Sequence, residues 1–215
     1  MYLNRFNNII WDWNGTLLND VDMCVKCMNQ LLEPRKIPLL TKEIYRDVFT
    51  FPVQNYYQKI GIDFIKDPFD IIGHDFMDLY FEALSGCKLF AEAEEVLKHF
   101  QQLDKKQFIL SAMEHESLKK SLFDYGISQY FDGVYGIDNH LAAGKTQRAI
   151  QLMSENNIES KKTILIGDTL HDLDVGNDLN IKTLLIANGH QSKSKLNNAG
   201  ILVLDSLSEL LEYIS

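Results

Sequence analysis

The chain has 215 residues, 46% of them hydrophobic and 24% charged, with a formal net charge of −9. Such a chain has material for one domain carrying a large insertion, with ordinary globular composition. An acidic surplus without a basic run argues against nucleic acid as a partner and against an anionic membrane surface. A phosphate-bearing ligand would therefore have to be drawn in by a local positive feature.

No apolar stretch is long enough to span a bilayer. The opening Met1-Tyr2-Leu3-Asn4-Arg5-Phe6 lacks the apolar centre of a signal peptide. The three cysteines, Cys24, Cys27 and Cys87, suit a reducing compartment, so the cytoplasm is the expected location. Cys24 and Cys27 stand at i and i+3. With no second pair at zinc-finger spacing, they read as two half-buried thiols on one helix face rather than a metal site.

In chain order, Ile9-Ile10-Trp11 is a short apolar run that predicts a buried strand. Asp12 ends it, and Gly15-Thr16 follows. From Asn19 to about Gly86 a helical period dominates. Val21, Met23, Val25, Met28, Leu31 and Leu32 predict a long amphipathic helix ending near Pro34. Thr41 is the expected cap of a second helix. Phe51-Pro52-Val53 breaks the chain, Asn55–Ile60 predicts a short helix stopped by Gly61, and Asp70–Leu84 predicts another. From Ala91 the units alternate regularly: helix 91–103, strand 107–111, helix 115–125, strand 133–136, helix 146–156, strand 163–166, helix 172–179, strands 183–186 and 201–204, and helix 206–214 capped by Ser206. Lys193–Asn198 reads as a polar, solvated loop or weak helix. Short apolar strands alternating with helices predict an α/β fold, a Rossmann-like parallel sheet in three layers. The expected division is a core of residues 1–18 and 87–215 with a helical cap inserted over 19–86.

The chemistry-bearing residues follow predicted strands. Asp12 follows the first, Ser111 follows Phe108-Ile109-Leu110, Lys145 opens a helix, and Asp168 and Asp172 follow Ile164-Leu165-Ile166. Strand ends of a parallel sheet face one side, so these side chains can converge on one crevice. Carboxylates suit Mg²⁺, and a hydroxyl and an ammonium suit phosphoryl oxygens. Taken singly, Asp12 or Asp172 could be a helix cap, Ser111 a turn residue and Lys145 a surface lysine. The ordered set argues against those readings jointly.

Asp12-Trp13-Asn14-Gly15-Thr16-Leu17, Ile109-Leu110-Ser111, Lys145 and Gly167-Asp168-Thr169-Leu170-His171-Asp172 resemble, in order and spacing, the four motifs of the haloacid dehalogenase superfamily. The branch they are most similar to is the phosphoglycolate-phosphatase-like one with a helical cap. The resemblance implies a Mg²⁺-dependent phosphatase of a small phosphorylated metabolite. Asp12 would attack phosphorus and form an aspartyl-phosphate. Asp12, Asp168 and the backbone carbonyl of Asn14 would hold Mg²⁺, with Asp172 supporting them. Ser111, Lys145 and Thr16 would bind the phosphoryl group.

Asn14 departs from the pattern, because the family normally has an Asp there that protonates the leaving oxygen. An amide cannot exchange that proton, and losing a general acid/base typically costs about 10² to 10⁴ in rate. Weak activity on alkyl phosphates and better activity on activated ones is the expectation. His171 and His115 are possible substitutes, although each reads more readily as solvent-facing. The competing reading is a catalytically silent relative that binds a phosphorylated ligand or a protein. Carbon–phosphorus cleavage would require a cap lysine, and nothing singles out Lys26, Lys36, Lys42, Lys59 or Lys66.

Overall fold

The computed structural model describes residues 3–137 and 144–213. Nine residues after Leu3 the chain has already laid down its central strand, β1 (Asn8–Trp11). Six strands form one parallel sheet in the order β5-β4-β1-β6-β7-β8. These are β4 (Lys106–Glu114), β5 (Gly133–Ile137), β6 (Thr163–Gly167), β7 (Lys182–Ile186) and β8 (Val203–Leu204). β1 lies between β4 and β6, with Trp11 level with Ile109 and Ile166.

Every residue of β1 is buried, because alternate side chains enter two different cores. Ile9 and Trp11 pack with Val96, Leu97 and Phe100 of α5 (Ala93–Gln102) and with Leu118 and Leu122 of α6 (His115–Asp124). Ile10 packs on the opposite face with Ala149 and Leu152 of α7 (Lys145–Glu155) and Val175 of α8 (Leu170–Asp178). The result is the three-layer α/β arrangement expected from the alternation of strands and helices. The Trp11 indole is placed by its N–H, which donates to the buried Gln107 amide oxygen at 3.0 Å.

Between β2 (Leu18–Asn19) and β3 (Lys88–Leu89) lie α1 (Val21–Leu32), α2 (Lys42–Val48), α3 (Val53–Lys59) and α4 (Phe69–Ala83). The four expected helices are present, and Thr41 caps α2 by accepting from the Ile44 amide at 3.3 Å. Pro52 supplies the start of α3 rather than a longer break, so that helix begins two residues earlier than its periodicity suggests. Asn29 brackets the connection to α2, donating to the Leu40 carbonyl at 2.9 Å and accepting from the Leu40 amide at 2.8 Å. Arg46 and Phe49 are among the residues that tie the helices to the sheet side. Arg46 donates to the Ala187 carbonyl and, at 3.2 Å, to that of Gln191. The Phe49 carbonyl accepts from Gln191 at 3.1 Å and Lys195 at 2.5 Å.

Several local expectations need correction. β2 and β3 pair antiparallel as a two-stranded ribbon that two-residue segments could not announce by period. Cys24 and Cys27 are buried rather than half-buried, and Cys24 packs into the main core. Lys193–Asn197 is a helix, α9, anchored by the fully buried Leu196. The last strand is shorter than 201–204. Ser206 precedes α10 (Leu207–Glu212) but makes no capping hydrogen bond with its side chain. Ile214, read as the end of that helix, lies outside the described residues. Among the described residues no helix is long and apolar enough to cross a membrane.

Candidate active site

The carboxyl ends of β1, β4 and β6 open on a cavity of about 230 Å³ between the sheet and the four helices. Asp12, Asn14, Ser111, Lys145 and Asp168 all contribute to its lining. Asp12 sits one residue past β1, and its amide still donates to the Ile166 carbonyl at 2.9 Å, which fixes it at the strand end. Ser111 is re-aimed where the β4–β5 register shifts between Leu110 and Glu114. Its hydroxyl accepts from the Met113 amide at 3.0 Å. Lys145 is the first residue of α7 and only 4% exposed.

Lys145 Nζ donates to Asp12 Oδ1 and, at 2.6 Å, to Asp172 Oδ1. The other Asp172 oxygen accepts from the Thr169 amide at 3.0 Å and its hydroxyl at 2.7 Å, closing a capping box on α8. Asp172 thus holds Lys145 from behind and does not line the cavity. Thr16 is likewise beneath the site rather than in its wall. Its hydroxyl lies 3.2 Å from Asp12 Oδ2 and 3.4 Å from Asp168 Oδ1. The structure therefore moves Thr16 from the phosphoryl-binding role to that of a bridge between two carboxylates.

Asp12, Asp168 and Asp172 present oxygens within 4.8 Å of one another, all buried. Burial raises the Asp12 carboxyl to about 6, with Lys145 opposing and Asp172 adding to the rise. Burial also pushes Asp168 well above the ordinary range, with Asp12 and Asp172 adding to it against His190. Asp172 ends below its ordinary value, because the charge and hydrogen bond of Lys145 outweigh burial. One lysine does not balance three buried acids, and the imbalance falls on Asp12 and Asp168. A hard divalent cation among oxygen donors relieves that imbalance, so the donor set fits Mg²⁺. Close packing of glycine backbone holds this geometry. Gly15 takes φ +74°, and a β-carbon there or at Gly189 would collide with the Asp168 carboxylate.

A second polar group surrounds Asn14, and sequence reasoning missed it. Asn14 Nδ2 donates to Asp20 Oδ2 at 2.8 Å and to the Tyr80 hydroxyl at 2.6 Å. Asp20 also accepts from the Gly15 amide at 3.0 Å and the Tyr80 hydroxyl at 3.1 Å, and pairs with His190 Nε2 at 3.1 Å. His190 Nδ1 is 2.8 Å from the Tyr45 hydroxyl. Burial acts against the His190 charge, but Asp20 outweighs it and raises His190 to about 9. Burial acts to raise Asp20, but His190, Asn14 and Tyr80 hold it below the ordinary range. Cys24 lies close by. Burial, with Asp20 adding to it, raises the Cys24 thiol well above its ordinary value. His190 follows β7 by four residues, so the strand-end rule that found Asp12 and Asp168 was capable of finding it.

The ion pair predicts a stability profile. His190 has a raised value when folded, so its contribution is complete below about pH 6.5 and is lost as pH rises through about 9. In metal-free protein the unfolding free energy should fall across that window by up to about 1.4 kcal/mol per pH unit, read as a falling Tm. His190→Gln should flatten the profile there. An unchanged slope in that variant would remove the ion pair as the cause.

The candidate substitute acids separate. His115 Nδ1 accepts from the Gly136 amide at 3.3 Å, and His115 does not line the cavity. His171 does line it, stacked on Phe51 with ring centroids 4.6 Å apart, rather than facing solvent. Burial, with Lys145, lowers its affinity for a proton. None of Lys26, Lys36, Lys42, Lys59 and Lys66 lines the cavity.

Comparison with known proteins shows the chain's family and fold. The family model described as haloacid dehalogenase-like hydrolase matches residues 9–186. The pyrophosphatase PpaX of Listeria welshimeri is 21% identical over 196 residues, covering 85% of this chain and 84% of that protein. A haloacid dehalogenase-like hydrolase from Streptococcus pneumoniae superposes with a TM-score of 0.84 at 18% identity, covering 98% of this chain and 99% of that one. A predicted phosphoglycolate phosphatase from Haemophilus somnus superposes at 0.77 with 15% identity, covering 98% and 99%. The chain is an enzyme of the haloacid dehalogenase-like hydrolase family, standing among relatives named as phosphatases.

Proposed function

We propose that this hydrolase removes a phosphoryl group from a small phosphorylated metabolite through an aspartyl-phosphate on Asp12. The observation that carries the reading is the position of Asp12, at the cavity wall with Lys145 on one oxygen and Thr16 near the other. An Asp12 oxygen attacks phosphorus, and the bond from phosphorus to the leaving oxygen breaks. Water then attacks the phosphorus of the acyl phosphate, freeing Asp12 and inorganic phosphate. Lys145 and the Ser111 hydroxyl hold the phosphoryl oxygens, and Lys145 steadies the negative charge of Asp12. Asp12, Asp168 and the Asn14 carbonyl would hold Mg²⁺, which would neutralise charge on the phosphoryl oxygens. Asp172 acts through Lys145. Asn14 donates to Asp20 and Tyr80, so it contributes no proton to the leaving group. Residues 19–86 serve as the cap that shuts water out of the crevice over a 1–18 and 87–215 core.

The test is hydrolysis of an aryl phosphate with Mg²⁺, followed by acid quench to collect phosphoenzyme. Phosphate release with trapped label on Asp12 supports the reading. Tight binding of phosphate ligands with no release would favour the silent relative instead, a reading to which Asn14 lends support. Metal binding has its own readout. Mg²⁺ at a hundredfold excess over its Kd should stabilise the fold by about 2.7 kcal/mol, seen as a rise in Tm. Asp168→Asn should abolish most of that rise, and an equal rise in the variant would place the ion elsewhere.

A further inference from the structure

The part of the cavity beyond Asp12 is a box of aromatic and thioether side chains. Phe49, Phe51, Phe69, Phe76 and Met77 line it while keeping accessible surface, and Met113 closes it from the sheet side. Tyr45, Tyr56 and Tyr57 also line it, although they are almost wholly buried. Among the described residues that line the cavity, Lys145 is the only lysine or arginine, and both of its ion-pair partners are within reach already. The carboxylates beyond the Asp12 cluster and Asp20 are Asp70 and Glu114, the latter spent on the Glu116 and Ser117 amides. His74 stands exposed near the mouth, one turn from Asp70.

Among the described lining residues the cations, Lys145 and His190, are already paired with carboxylates, so a leaving group with its own negative charge would be buried against phenylalanine without a free partner, at large cost. An uncharged ring gains by contrast, since it replaces water on an apolar wall and meets ring edges and faces. Size agrees as well. An apolar cavity of about 150 Å³ holds benzene, so about 230 Å³ has room for one ring and the phosphate attached to it. Asn14 points the same way by a separate route, because a phenolic oxygen leaves without a proton from the enzyme.

Resting on the phosphatase reading for the phosphate end, we infer that the substrate is a monophosphate ester of an uncharged aromatic alcohol or phenol. Its ring sits against the aromatic wall to which Phe51 and Phe76 belong, and the site rejects esters that carry a second anionic group. The two relatives named for pyrophosphate and phosphoglycolate chemistry would then differ from this chain in what they accept.

The test separates the ring from leaving-group activation by using alkyl leaving groups throughout. Benzyl phosphate, ethyl phosphate and phosphoglycolate are compared with Mg²⁺. The expected kcat/KM for benzyl phosphate exceeds that for ethyl phosphate by about tenfold or more, mainly through KM. It exceeds that for phosphoglycolate by about 100-fold. Parallel Tm-shift titrations with benzylphosphonate, ethylphosphonate and phosphonoacetate rank binding without any chemistry. If no ester is hydrolysed but the phosphonates keep the same order, the hydrolytic reading fails and the assignment of the cavity stands. If phosphoglycolate or phosphonoacetate equals its benzyl counterpart, or benzyl is no better than ethyl, the inference is overturned. Phe76→Lys, with Met77→Lys as the second variant should the first unfold, places a cation in the wall. Either should narrow the gap between benzyl and carboxylate-bearing ligands at least tenfold, and an unmoved gap counts against the cavity as the leaving-group site.

Discussion

Asn14→Asp is expected to raise turnover of alkyl phosphates by about 10² to 10⁴, the usual worth of a general acid and base. The surroundings say how the new carboxyl would behave. Asn14 now donates to Asp20 at 2.8 Å, and a carboxyl at that distance can keep the bond only by holding a proton. Two carboxyls sharing one proton have their values driven apart, leaving one of them acidic in form near neutrality. That is the state a proton donor to the leaving oxygen requires. The gain should be large for ethyl phosphate and small for an aryl phosphate, whose leaving group needs no proton. Accumulated phosphoenzyme should also fall, since the same carboxyl would activate water. The measurement is kcat for both ester types with acid-quenched phosphoenzyme. Equal gains for both would show that position 14 does not govern proton transfer. The variant should lose some stability through the second carboxyl set against Asp20.

Asp12→Asn should lower phosphate release by about 10⁴ or more, the scale seen when a covalent nucleophile is removed. The fold should survive. Lys145 keeps Asp172 at 2.6 Å, so the ammonium is not left unpaired. Burial already raises the Asp12 carboxyl from 3.8 to about 6, and such a raised acid costs stability progressively between those two values, with the loss complete above the folded one. Above that pH, metal-free Asp12→Asn should melt no lower than the wild type and somewhat higher if the lysine stays paired. Activity near the wild-type level in this variant would end the covalent reading. A lost fold would show instead that the Asp12–Lys145 pair is structural. Thermal melts beside single-turnover assays separate the two.

The sheet and its helices were legible because each strand is a short β-branched or aromatic run bounded by a polar residue, as with Thr163–Gly167. The convergence of Asp12, Ser111, Lys145 and Asp168 followed from one rule, that parallel strands end on the same side. Features fixed by tertiary contact were not legible. The resemblance gives Thr16 a phosphoryl-binding role, and only the approach of Asp168, distant in sequence, to within 3.4 Å of its hydroxyl shows it lying between two carboxylates. Asp172 carries the pattern of a cap and of a metal-supporting acid at once, and only the position of Lys145 shows how its oxygens are shared. The Asp20–His190 pair joins residues 170 positions apart, and no local period encodes such a meeting. The ribbon of β2 and β3 is too short to show alternation at all.

That ribbon has an engineering consequence. Leu18 faces Leu89 and Asn19 faces Lys88, so the outgoing and returning strands of the helical segment are neighbours on a common hem. Whatever is stitched between them adds nothing to the span the main scaffold must bridge. A donor segment of quite different length, taken from another enzyme, could be sewn in at these two pairs. The phosphorus-handling machinery would keep its seat while the choice of guest molecule was retailored.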